Sequence, residues 1–169
     1  MLDRRDFELF RAFVPRWAHD PLSGAGAARF GGRWNPVGAP AFYGALELST
    51  AWAEYNQSLV QHPALIVTFR LIGAMLADLT DPEVLGKLDL DEAIHRIEWR
   101  AIREDGGRPE TDVVREKLLG ERFDGLIYPS VMSRGGRCVA LWRWNGPRQP
   151  RLVAVDPEGR LPTSPASWL

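Results

Sequence analysis

Residues 29 to 38 read RFGGRWNPVG, with two arginines, three glycines, a tryptophan and an Asn-Pro step inside ten positions. Glycines let a backbone come close to a ligand, and the planar arginine fork grips phosphate or carboxylate at two points. Arg29 and Arg33 are therefore candidate anion clamps, although the same residues would also suit a surface turn with ordinary ion pairs. The loop is neither a Walker loop, since no Gly-Lys-Ser/Thr follows, nor a dinucleotide fingerprint, since no GxGxxG joins a strand to a helix. Tyr43 can stack on a planar ligand or fill the core. Glu54 falls at the border of an apolar helical stripe, where a carboxylate faces either a pocket or solvent. Ser130 ends the run LIYPS ahead of a second Gly/Arg loop, a placement that suits both ligand contact and a plain turn. No GxSxG elbow is present, so a hydrolase serine is not expected. His19, His62 and His95 lie far apart in no metal-ligand spacing and read as structural or surface residues, so no metal site is expected. Cys138 is the single cysteine, which excludes an internal disulfide, and within RCVALWRW it reads as a small buried apolar residue.

These residues must be positioned by a small set of elements. An opening strand is expected over 8–13, followed by a Gly/Pro-rich stretch over 15–40 that is too long for a passive connection. A short strand at 41–44 precedes a helix over 47–61, in which Leu48, Ala51, Trp52, Tyr55 and Leu59 recur at helical spacing until His62-Pro63 stops the run. Strands follow at 64–71 and 74–79. Helices are expected over 91–104 and 111–120, parted by the Gly-Gly-Arg-Pro breaker at 106–109. Three strands at 125–130, 137–144 and 151–156 complete the chain. Strands at both ends with helices mostly between them indicate an α+β fold rather than a regular βαβ alternation.

Composition sets the outer bounds. The chain has 169 residues, long enough for one domain with one core, expected over about 8–156 with a C-terminal tail at 157–169. With 21 basic against 22 acidic residues and a net charge of −1, binding of nucleic acid through bulk charge is disfavoured. No apolar run approaches the ~20 residues of a membrane span and no signal peptide opens the chain, so a cytoplasmic protein is expected.

Taken in order, GRWN, Tyr43, Glu54 and the strand-terminal YPS resemble the RES domain, named for its Arg, Glu and Ser. The likeness extends upstream over WAHDPLSGAGAARFGGRWN and downstream over FDGLIYPSV and RCVALW. The resemblance places the family's Arg on Arg33, its Tyr on Tyr43, its Glu on Glu54 and its Ser on Ser130, with Arg29 as a further arginine ahead of the motif. Glu47 departs from the Ser or Thr that often caps this helix in relatives, which leaves the helix start open. The resemblance implies an α+β fold similar to ADP-ribosyltransferases, with a central sheet flanked by helices. It also implies a toxin of a bacterial toxin–antitoxin pair that consumes NAD, with an Xre-type helix-turn-helix antitoxin covering its pocket.

Breaking the nicotinamide–ribose bond builds positive charge on the sugar, so a carboxylate helps most in the transition state. On this reading Glu54 stabilises the sugar, Arg29 and Arg33 hold the pyrophosphate, Tyr43 stacks on the nicotinamide end and Ser130 hydrogen-bonds there. Trp34 and Asn35 are expected to pack and turn the loop. The acceptor of ADP-ribose stays open: a protein in a transferase, water in a glycohydrolase, phosphate in a phosphorylase. A non-enzymatic nucleic-acid or protein-binding module, stacking through Trp142 and Trp144, is the rival from another class.

Overall fold

A computed structural model describes residues 3–57 and 60–168 of the chain. The fold is α+β and is built on one mixed sheet of seven strands in the order β4-β5-β6-β2-β1-β3-β7. The strands are β1 (Arg5–Phe13), β2 (Phe42–Ala45), β3 (Leu65–Ala74), β4 (Leu76–Asp78), β5 (Gly125–Pro129), β6 (Arg137–Leu141) and β7 (Arg151–Ala154). Every neighbouring pair is antiparallel except β4 with β5. Successive side chains of a strand point to opposite faces. Leu126 and Ala140 accordingly enter one buried cluster with Trp34 and Leu118, while Ile127, Val139 and Leu141 enter another with Phe42 and Phe69. Both faces of the sheet are thus covered. Phe42 meets Phe69 edge-on with ring centroids 5.0 Å apart, a geometry that contributes about 0.5–1.5 kcal/mol beyond burial.

All seven expected strands are present, and β1 and β3 run a few residues beyond the expected ends. The helices differ more. The long stretch over 15–40 contains a 3₁₀ turn (Pro15–Trp17) and a short helix α1 (Ala25–Phe30) that the sequence reading treats as loop. Helix α2 (Leu48–Tyr55) is shorter than the expected 47–61. It stops because Asn56 turns back on it: the Asn56 side chain donates to Trp52 O and accepts from His62 N, fastening the chain as it leaves the helix. Leu59 and Ser58, which the expected helix includes, lie outside the described residues.

Glu47 does stand at the N-cap of α2, but its side chain makes no capping bond. Its carboxylate instead accepts from Thr50 Oγ1, Arg137 N and Arg137 Nε at 3.1, 2.8 and 3.1 Å, tying the helix start to β6. Helix α3 (Pro82–Lys87), capped by the Asp81 carboxylate on Glu83 N, was not expected.

The expected helix over 91–104 is divided into a 3₁₀ turn (Glu92–Arg96) and α4 (Trp99–Glu104). A continuous α-helix would bond His95 O to the Trp99 amide. Here His95 O accepts from Arg33 Nη1 at 2.6 Å, and Trp99 N donates to Ile97 O. The break is therefore made by the loop that carries the arginine. Helix α5 (Glu110–Gly120) agrees with expectation to within one residue. The breaker before it works as a helix stop: Gly107 N donates to Ile102 O and Gly106 N to Arg103 O, with Gly106 at φ +77°. That pairing of crossed bonds needs a left-handed residue, which glycine supplies without strain.

Candidate active site

The sheet parts at β1 and β2. The two strands pair at a single position, Phe10 with Ala45, and beyond it Arg11 and Ala12 separate from Gly44 and Tyr43. All four residues line a cleft of about 990 Å³, at the upper end of the ~300–1,000 Å³ typical of small-molecule sites. Helix α2 contributes Glu54 and Tyr55 to its lining, and the segment from His95 to Arg100 contributes a further part. Of the 29–38 loop, Phe30, Gly31, Gly32 and Arg33 line the cleft.

That loop is turned from within. Asn35 is fully buried; its Nδ2 donates to Ala27 O, Pro36 O and Ala39 O, and its Oδ1 accepts the Tyr43 hydroxyl at 2.7 Å. The Tyr43 oxygen in turn accepts from Trp34 N at 3.0 Å. A Cβ on Gly32 would fall 2.5 Å from that hydroxyl and 2.6 Å from Asn35 Oδ1, so only glycine fits. Trp34 is also fully buried, packs on Tyr128 and gives its carbonyl to Trp142 Nε1 at 2.9 Å. Trp34 and Asn35 thus anchor and shape the loop. Immediately before these anchors, Arg33 lines the cleft, held by one arm on His95 O. Tyr43 presents its ring to the cleft while its hydroxyl belongs to the loop, and burial raises its pKa well above the usual phenol value.

The Ser130 hydroxyl donates to Glu54 Oε1 at 2.6 Å, within the range of short bonds to a carboxylate. The Ser130 oxygen accepts from Met132 N and Ser133 N, at 3.1 and 3.0 Å, so the donor is itself fixed. Cys138 Sγ lies 3.7 Å from the same Glu54 oxygen. Burial, followed by the Glu54 charge, pushes the thiol up to about 12, so it stays protonated as a weak second donor. Glu54 comes from α2, Ser130 from the end of β5 and Cys138 from β6, three elements that meet only in the folded sheet.

The two loop arginines have different settings. Arg29, in the last turn of α1, is exposed, has its guanidinium 5.2 Å from the Phe30 ring centroid, and is not among the residues lining the cleft. Arg11 is the residue that sequence reasoning missed. It lines the cleft, lies over the rings of Phe13 and Phe42 at 4.7 and 5.1 Å, and has a buried Nη1 with no hydrogen-bond partner. Burial lowers its pKa to about 10. A signal was available: Leu9, Arg11 and Phe13 share one face of β1, and Leu9 and Phe13 are buried. A cation there breaks the apolar alternation of the strand.

His95 is nearer the site than its sequence reading implies. Its Nε2 lies 3.0 Å from Leu79 O; a carbonyl only accepts, so Nε2 carries the hydrogen and Nδ1 does not. Burial lowers its pKa, with Arg33 adding to the effect, so the ring is neutral near pH 7. Its backbone oxygen, not its imidazole, meets Arg33. No group of three or more His, Cys, Asp or Glu able to hold a metal occurs among the described residues. No helix among them is long and apolar enough to cross a membrane.

The family model for the RES domain matches residues 8–164. The chain belongs to the RES domain family. This RES domain is similar in fold to a chain in a solved structure described as the crystal structure of the M. tuberculosis MbcT-MbcA toxin-antitoxin complex. The TM-score is 0.63 at 20% identity, covering 98% of this chain and 88% of that one. No curated protein matches this chain in sequence. Its Arg33, Tyr43 and Glu54 line one cleft, Ser130 is joined to it through its hydrogen bond to Glu54, and Arg29 is not among the lining residues.

Proposed function

We propose that this RES domain is the toxin of a toxin–antitoxin pair and cleaves the nicotinamide–ribose bond of NAD, transferring ADP-ribose to an acceptor, in the first instance a protein. The observation that carries the reading is the Glu54 carboxylate, fixed by Ser130 at 2.6 Å, in the same cleft as Arg11 and Arg33. A dinucleotide needs anion-binding groups for its pyrophosphate and a negative group beside the ribose that becomes cationic, and the cleft has both.

In the reaction, Arg33 and Arg11 hold the pyrophosphate, Arg33 through the N–H groups that His95 O leaves unused. Arg29 can reach the substrate only from outside the cleft wall. The Tyr43 ring packs against the nicotinamide end. Glu54 faces the nicotinamide ribose, hydrogen-bonds its hydroxyls and stabilises the oxocarbenium-like sugar as neutral nicotinamide leaves with the bonding electron pair. Ser130 prevents the carboxylate from rotating away, so little reorganisation is needed as charge develops. The acceptor then attacks the anomeric carbon and loses a proton. The antitoxin, an Xre-type helix-turn-helix protein on this reading, would cover the cleft and act with the toxin in the cytoplasm. The toxin–antitoxin description of the structural neighbour supports an antitoxin partner.

The test is incubation of the purified protein with NAD, with and without cell extract and inorganic phosphate, with every product identified by mass. A protein gaining one ADP-ribose unit supports transfer. Free ADP-ribose assigns a glycohydrolase, and ADP-ribose 1-phosphate a phosphorylase. Intact NAD under all conditions overturns the reading.

A further inference from the structure

We infer that Arg103 and Asp112 are positioning residues that set the Arg33 loop for catalysis, an inference that rests on the NAD-cleaving reading above. The Arg33 turn closes through an isolated bridge between Gly32 and Asn35. The carbonyls on both sides of that bridge, Gly32 O and Asn35 O, accept from a single atom, Arg103 Nη2, at 3.1 and 3.0 Å. No other side chain among the described residues donates to either. Arg103 is held in turn by Asp112, two-pronged, with Nη1 on Oδ2 at 2.9 Å and Nη2 on Oδ1 at 2.7 Å. The Asp112 side chain is only 4% exposed and lies in the first turn of α5, where the helix dipole favours a carboxylate.

The crossed bonds at Gly106 and Gly107 fix the turn of α4 that bears Arg103. One guanidinium therefore joins α4, α5 and both ends of the turn that presents Arg33. Asn35 and Tyr43 shape this turn internally, but Arg103 sets its place against the cleft wall that also supplies His95 O. A lysine carries one compact ammonium and cannot meet two carboxylate oxygens and two carbonyls in one plane.

The test uses the double variant Arg103→Met/Asp112→Leu, because removing both partners leaves no unpaired buried charge, together with Arg103→Lys. Nicotinamide release gives kcat and KM, and hydrogen exchange follows the amides of residues 31–36. In the double variant, kcat/KM is expected to fall 10- to 100-fold with most of the change in KM, and exchange to quicken in the loop but not in β1 or β3. Arg103→Lys should fall between it and the wild type. Loss of kcat at unchanged KM, as a merely structural role would give, overturns the inference, as does exchange that quickens throughout the sheet. If the double variant does not fold, a wild-type kcat/KM in Arg103→Lys overturns it equally. If the wild type releases no nicotinamide, the proposed function fails, and the loop exchange still decides whether the pair positions the turn.

Discussion

Replacing Ser130 with alanine removes one hydroxyl and leaves every other group of the cleft in place. That hydroxyl gives Glu54 a 2.6 Å hydrogen bond, and the remaining donor, Cys138 Sγ at 3.7 Å, is too long and too weak to replace it. Hydrogen bonds to charged groups contribute about 1.5–3 kcal/mol. If the bond matters chiefly by orienting Glu54 in the transition state, its loss lowers kcat by roughly 10- to 150-fold. Because Ser130 does not hold the pyrophosphate, KM for NAD should move little. The Met132 and Ser133 amides lose their acceptor; Met132 is exposed and Ser133 half-buried, so water can substitute. A stability loss of about 1 kcal/mol follows, or roughly 2–4 °C in Tm for a chain of this size. Nicotinamide release at saturating NAD, alongside thermal unfolding, separates the two effects. A folded Ser130→Ala protein with kcat within twofold of wild type would refute the orienting role, and so would a change confined to KM.

Further outcomes follow from the same geometry. Arg33→Ala should lower kcat/KM by about 10²–10³, as expected for loss of a preorganised charged contact, whereas Arg29→Ala, exposed beside Phe30, should change it less than about threefold, as for a surface group; equal losses would return Arg29 to the clamp. Gly32→Ala places a Cβ against Tyr43 OH and Asn35 Oδ1 and should cost about 1–3 kcal/mol in denaturant unfolding; an unchanged midpoint would contradict the packing described for the loop. The pKa of His95 is depressed in the folded state, so the unfolded chain takes up the proton first. Its contribution is intact above about pH 6.5 and is lost as pH falls below that value through the folded pKa. His95→Gln keeps a donor for Leu79 O but cannot titrate, and should lose less Tm than wild type between pH 7.5 and 5.5.

The strands were legible because β-branched and aromatic runs bounded by turns carry their own signal. The helices were less so, because tertiary contacts set their ends. Asn56 stops α2 with side-chain bonds to the chain on either side, and Arg33 takes the carbonyl that would have continued the helix through His95. Neither partnership leaves a periodic trace. At the site, Arg33, Tyr43, Glu54 and Ser130 stood out by type and order, but composition and periodicity did not show that Ser130 touches Glu54. That contact depends on β5 bringing its C-terminal end to α2 across 76 positions of sequence. Arg11 went unread although its alternation with Leu9 and Phe13 was visible, because an arginine in an edge-like opening strand passes as solvent-facing. Arg103 was hidden more deeply: within WRAIRE it is one charge of an amphipathic helix, and only the folded loop identifies the carbonyls it holds.

The central claim is that Glu54 stabilises a cationic ribose as nicotinamide leaves, and nicotinamide release from NAD by wild type and Glu54→Ala, each verified as folded, tests it most directly. The account predicts steady release by wild type and a rate lower by at least about 10²–10³ in the variant. Wild-type release by a folded Glu54→Ala protein would contradict it.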